Sequence, residues 1–230
     1  MYDDDFGGPY VPPERTRATR MFPARSRASG RGFVIAKPRA DAALRQLIFE
    51  SHLERKCLLV LLSQQSVVDI WDQPPHITYR NRGGKSAFHT FDFLVTLEDG
   101  NKIAIAVKPG ALVERYRFDQ EIALIKAQTA KQFADDVLLV TENSFSAAEV
   151  RNAELLNMFR QAEDAEADAA VQQILRGMNC ETSLGQVVTA TGLQGRAFRA
   201  AFKAIFDGIV LTDLSFPVTE ASMLSMPEVR

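Results

Sequence analysis

The chain has 230 residues, of which 46% are hydrophobic and 24% charged, with a formal net charge of −2. That length and balance suffice for a buried core in one large or two small domains and exclude a globally basic or wholly disordered protein. No apolar run approaches the ~18–20 residues that span a bilayer, so a cytoplasmic protein is expected. Cys57 and Cys180 fit no metal-ligand spacing and read as buried thiols in a reducing compartment.

Residues 1–31 hold Arg15, Arg17, Arg20, Arg25, Arg27 and Arg31 among Pro, Gly and Ser, the composition of a disordered tail. It reads either as a solvated leader or as a basic arm for a DNA backbone or a partner. Order is expected from "GFVIAKPRA". In "DAALRQLIFESHLERKCLLVLLSQ", residues Leu44, Leu47, Ile48, Leu53, Cys57, Leu58 and Leu61 form a helical stripe with Asp41 as N-cap. Glu50 and Glu54 would then lie one turn apart. Strand-like runs follow at 67–71, 76–80, 88–97 and 101–108, separated by "DQPP", "NRGGKS" and "EDGN". A long helical pattern over about 111–133 and a strand at 135–142 complete a mixed α/β domain, residues 32–145. Residues 146–177 read as a connecting helical segment. Residues 178–230 have the rhythm of a small winged helix: a short helix, a "TGLQ" turn, a second helix and two short β-type runs.

The hairpin across "EDGN" decides which side chains meet. A three-residue loop with Gly100 left-handed sets Asp92 across from Ala106, with Lys108 diagonally adjacent on the same face. Phosphodiester hydrolysis needs an activated water, a cation against the phosphoryl oxygens and help for the leaving oxygen. Mg²⁺ takes oxygen ligands, commonly one or two carboxylates with waters, and a nearby lysine can orient or deprotonate the attacking water. One acid and one lysine on a hairpin are, by themselves, commonplace surface chemistry.

The order and spacing of "ESHLE", "QPPHITY", "FDFLV" and "VKP" resemble the N-terminal domain of TnsA, the endonuclease subunit of heteromeric bacterial transposons. The resemblance runs from about Gly32 to Glu142, and "GIVLTDLSFPV" is similar to the family's winged-helix domain. It implies a restriction-endonuclease-like PD-(D/E)xK fold: a mixed sheet flanked by helices, followed by a small winged helix. It implies Glu54, Asp92 and Lys108 as catalytic residues, with Mg²⁺ (Mn²⁺ as substitute) held by Asp92, Glu54 and the Val107 carbonyl. It also implies double-stranded DNA, a DDE-type transposase and an ATPase regulator as partners, without a membrane.

The departure is Ala106, where the family pattern expects Glu or Gln. Either the alanine replaces an acid in an otherwise competent nuclease, or the chain is a non-cleaving relative kept for DNA or partner binding. A third option is that Glu50, Glu54 or Glu121 supplies the ligand. A stand-alone phage or defence nuclease on the same fold is a further alternative. Arg80, Arg82 and Lys85 in one loop, and Arg115 and Arg117 after Lys108, are candidate DNA-backbone contacts. Arg196, Arg199 and Lys203 form a basic stripe on the last helix and are candidates as well. His76 and His89 read as hydrogen-bonded or surface histidines, and Trp71 as a packing residue.

Overall fold

The run Phe33-Val34-Ile35 finds its match in Gln46-Leu47-Ile48, and the two pair antiparallel as β1 (Gly32–Ala36) and β2 (Arg45–Phe49), with Val34 opposite Leu47. The structure is a computed structural model describing residues 11–20, 30–38 and 43–227. The single long helix expected over this region is thus corrected. Leu47, Ile48 and Phe49 are buried as a strand, and the helix, α1 (His52–Ser63), starts only after Ser51. The reason is a cap: Ser51 Oγ accepts the Glu54 amide, the S-x-x-E signature of a helix start. Asp41, the expected cap, lies outside the described residues.

The central sheet has the order β3-β6-β7-β8, formed by β3 (Val67–Asp72), β6 (Phe93–Leu97), β7 (Lys102–Val107) and β8 (Asp136–Val140). The first three strands are antiparallel, and β8 joins β7 in parallel. The β6–β7 loop has the expected three residues: the Leu97 amide donates to the Asn101 carbonyl at 2.9 Å, and Gly100 has φ +85°. A separate two-stranded ribbon, β4 (Ile77–Arg80) with β5 (Ser86–His89), stands between β3 and β6 in the chain. The expected strand at 88–97 is therefore two, divided at Thr90–Asp92.

Two apolar layers cover the sheet. On one face Cys57, Leu58 and Leu62 of α1 pack with Phe93, Val95 and Ile105. On the other, Ile122 and Ile125 pack with Leu94, Ala104 and Ala106. The latter isoleucines belong to α3 (Phe118–Gln128), which follows α2 (Gly110–Tyr116). The long helix expected over 111–133 breaks at Arg117, whose left-handed backbone (φ +51°) turns the chain between them. Leu58 and Ile125 are fully buried, each side chain stabilising the fold by about 1.5–3 kcal/mol relative to exposure.

The segment 146–177 is also two helices, α4 (Ala147–Phe159) and α5 (Ala165–Arg176), each freshly capped, by Ser146 and Asp164. Helix α4 leans on α1 through the Arg55–Glu154 ion pair, and Arg160 donates to the Leu62 carbonyl at 2.9 Å. Beyond it come β9 (Thr182–Ser183), α6 (Leu184–Thr191), α7 (Gly195–Phe206) and β10 (Met223–Leu224), with β9 and β10 antiparallel. They share a core centred on Phe202, Leu184 and Leu175, to which α4 contributes Leu156.

Part of the Arg-rich N-terminal stretch is ordered against the sheet, so a wholly solvated tail is corrected too. Glu14 bridges to Arg45, Thr16 bonds Asp72, and Arg17 pairs with Asp69. The Thr19 amide donates to the Gln73 carbonyl at 3.0 Å. Arg25 and Arg27 lie outside the described residues. Among the described residues, no helix is long and apolar enough to cross a membrane.

Candidate nuclease site

The α1 cap fixes Glu54 in the first turn of the helix. Its Oε1 accepts the Ser51 hydroxyl at 2.9 Å and its Oε2 accepts the Glu50 amide at 2.6 Å. Glu50 therefore precedes the helix rather than sitting one turn below Glu54 on it. Asp92 occupies the bend before β6. Its amide donates to the Ile105 carbonyl at 2.9 Å, and its Oδ2 accepts the Val107 amide at 2.7 Å. This double tie anchors the acid to the end of β7.

Glu54 and Asp92 are electrostatic neighbours. Burial and then the Glu54 charge push the Asp92 carboxyl up to about 7, only partly offset by the Val107 amide. Burial raises Glu54 as well. Glu50 adds to the repulsion, while Arg20, ion-paired to Glu50 at 2.6 Å, is the nearby cation that relieves both acids. The Cys57 thiol beneath them is pushed up by burial, with smaller contributions from Asp92 and Glu54. Two buried carboxylates, of which Asp92 is raised by the charge of Glu54, are what a bound cation would reconcile.

Lys108 stands apart from this pair. Its Nζ lies 4.5 Å from the Phe118 ring centroid, and among the described residues no ion pair joins it to Asp92 or Glu54. The expectation of Asp92 and Lys108 on one face is corrected by the bend: Phe91 belongs to the α3-side core and Phe93 to the α1-side core, so the strand rolls over at Asp92. His89 sits on the lysine side, where burial and then Lys108 hold its pKa down to about 4. Ala106 is 2% exposed, packed among Leu94, Ile122 and Ile125.

Glu121 is no spare ligand for Asp92: it accepts the Tyr79 hydroxyl at 2.6 Å and pairs with Arg82 at 3.4 Å. Of the substitutes considered, Glu50 is the one beside the Glu54–Asp92 pair. The donor chemistry, hard carboxylate oxygens beside a backbone carbonyl position, suits Mg²⁺. The set is short, however: among the described residues no three His, Cys, Asp or Glu side chains cluster closely enough to hold a metal ion.

The basic candidates divide in two. Around the ribbon, Arg80 caps its own turn on the Gly84 carbonyl at 3.1 Å, and Arg82 reaches the Arg117 carbonyl. Lys85 is exposed, and Arg115 stacks on Tyr116 at 5.4 Å. The α7 stripe, by contrast, is no free basic face. Arg196 pairs with Asp164 and Glu166 at 2.7 and 2.6 Å, Arg199 with Asp164 at 2.9 Å, and Lys203 with Asp168 at 2.8 Å. These bonds hold Asp164 well below the usual carboxylate range, Arg196 foremost. The stripe's charges are paired with α5 carboxylates along the seam between α5 and α7.

Arg20 is the residue that sequence reasoning missed. Nothing in "RTRATR" distinguishes the arginine that reaches Glu50, thirty positions on, from its neighbours. By contrast "SHLE" did carry the capping signal that separates Glu50 from α1.

A mixed sheet flanked by helices, with β3, β6 and β7 antiparallel and β8 parallel, is an α/β architecture of the restriction-endonuclease-like kind. Residues 64–157 match the family described as TnsA-like endonuclease N terminal, so that stretch is similar to a TnsA-like endonuclease domain. The match spans β3 to β8 and most of α4, taking in Asp92, Ala106 and Lys108 but beginning after Glu54. No curated protein matches the chain.

Proposed function

We propose that the chain is a TnsA-like, Mg²⁺-dependent DNA endonuclease that acts at transposon ends with a DDE-type transposase and an ATPase regulator. The observation that carries this reading is Asp92, raised by burial and by the neighbouring Glu54 charge and tied to the Val107 amide within the stretch that matches that family. Asp92 and Glu54 would hold the ion with the Val107 carbonyl, and the ion would supply charge neutralisation and a more acidic water. Lys108 ends the same strand and is the proton-handling group once it leaves Phe118. Arg80, Arg82, Lys85, Arg115 and Arg117 would position the phosphate backbone. The C-terminal unit is read as a winged helix engaging protein rather than DNA, since its basic stripe is spent internally.

A second reading, a DNA-binding adaptor on the nuclease fold, is favoured by Ala106, whose methyl group binds no cation and sits in apolar packing. A supercoiled-plasmid nicking assay with Mg²⁺ or Mn²⁺ separates the two. The nuclease reading expects little cleavage by the chain and a gain with Ala106→Glu, lost again with Lys108→Ala. DNA binding without cleavage by either form favours the adaptor. Robust cleavage by the alanine form, abolished by Glu50→Gln, assigns the missing ligand to Glu50.

A further inference from the structure

Between Asp72 and Asp92 the chain has no acidic residue, and this acid-free stretch folds into the β4–β5 ribbon. The ribbon is two-faced. Ile77, Tyr79, Ala87 and His89 turn inward, and Thr78, Arg80, Ser86 and Phe88 are exposed. Phe88 is 69% exposed, pairs across the ribbon with the smaller Thr78, and makes a T-shaped contact with the His76 ring at 5.0 Å between centroids. An aromatic ring left this open beside cations has no role in the core.

The ribbon is also rigidly placed. Gln128 of α3 accepts the Arg80 amide at 2.8 Å and donates to the Arg80 carbonyl at 3.0 Å. Arg82 ties the ribbon's tip to the Arg117 corner, joining it to the Arg115–Arg117 surface. On its inner face, His89 feels the Lys108 charge, so the ribbon adjoins the strand end that carries the lysine. A two-stranded ribbon is of a size that a DNA groove admits.

We propose that this ribbon is a DNA-distorting arm: its cations follow the phosphate backbone while Phe88 wedges against a base step beside the cleavage position. The inference rests on the DNA-cleaving reading above and adds the element that deforms the duplex. Phe88 offers no hydrogen bond to a base edge, and stacking or wedging is the chemistry an exposed ring has to give. Charge complementarity makes duplex DNA the partner, since a ribbon without a carboxylate meets a polyanion with no repelling group.

The test uses the full chain and a short duplex carrying 2-aminopurine, at fixed salt. Binding is expected to raise 2-aminopurine emission as bases unstack. Phe88→Ala, checked for folding by circular dichroism, should bind about 10-fold more weakly and lose that rise. The tryptophan emission added by Phe88→Trp should be quenched by DNA. Equal binding and an equal 2-aminopurine rise in Phe88→Ala, without quenching in Phe88→Trp, would overturn the arm while leaving DNA binding intact. Absence of binding by every form, the unmodified chain included, would instead overturn the DNA reading beneath it.

Discussion

The two sides of the β7 end are built on opposite electrostatic terms. On the α1 side, Glu54 and Asp92 are buried, both raised by burial and Asp92 further by the Glu54 charge, with Arg20 as the compensating charge delivered from the N-terminal stretch. On the α3 side, Lys108 rests on Phe118, Glu121 is satisfied by Tyr79 and Arg82, and His89 is kept neutral. One side gains from a cation and the other does not. Residue 106 is where the two sides would be joined, and its alanine belongs to the apolar packing of the lysine side.

The sharpest way to break this comparison is to put an acid at the seam. Ala106→Glu buries a carboxylate among Leu94, Ile122 and Ile125 and should cost about 2–4 kcal/mol in urea unfolding without metal. Mn²⁺ should recover much of that loss if the new carboxylate reaches the acid side. Unfolding unaffected by Mn²⁺ would place the new acid on the lysine side alone.

The pH dependence should run in opposite directions on the two sides. Asp92 has a raised pKa in the fold, so its contribution is complete below its unfolded value and is lost as pH rises through about 7. His89 has a lowered pKa, so its contribution is complete above about 6.5 and is lost as pH falls towards about 4. His89→Phe should remove on the order of 2–3 kcal/mol of acid sensitivity from urea curves across that window. Asp92→Asn should flatten the decline between about pH 4 and pH 7, and an unchanged slope would show that Asp92 is not charged against its surroundings.

A smaller effect is expected at Arg20. Arg20→Ala removes the cation nearest the acids and should tighten Mn²⁺ binding about 5-fold, in line with one partly exposed ion pair. Weaker Mn²⁺ binding would show Arg20 holding the pocket open for metal rather than competing with it. Smallest is Ser51→Ala, which removes the α1 cap and a Glu54 partner and should lower stability by about 1 kcal/mol in thermal melts.

The β6–β7 register was legible in the sequence because a glycine in the left-handed region selects one loop length, and loop length sets parity. The roll of the strand at Asp92 was not, since it arises from Phe91 and Phe93 entering different cores, a tertiary choice that no local pattern records. The same holds for "RQLIF". Leu44, Leu47 and Ile48 satisfy a helical period, and only pairing with β1, more than ten residues earlier, makes the segment a strand. Glu54 and Asp92 are named as site residues by family resemblance, whereas Arg20 is not legible, because its value lies in a long-range ion pair with Glu50.

The most direct test of the acid side as a cation site is Mn²⁺ binding at pH 8, read by the loss of the free-ion EPR signal in the chain, Asp92→Asn and Ala106→Glu. The account predicts weak binding by the chain, at least about 100-fold weaker binding after Asp92→Asn, a loss at or beyond the range of outer-shell changes, and tighter binding after Ala106→Glu. Binding that survives Asp92→Asn and ignores Ala106→Glu would contradict it.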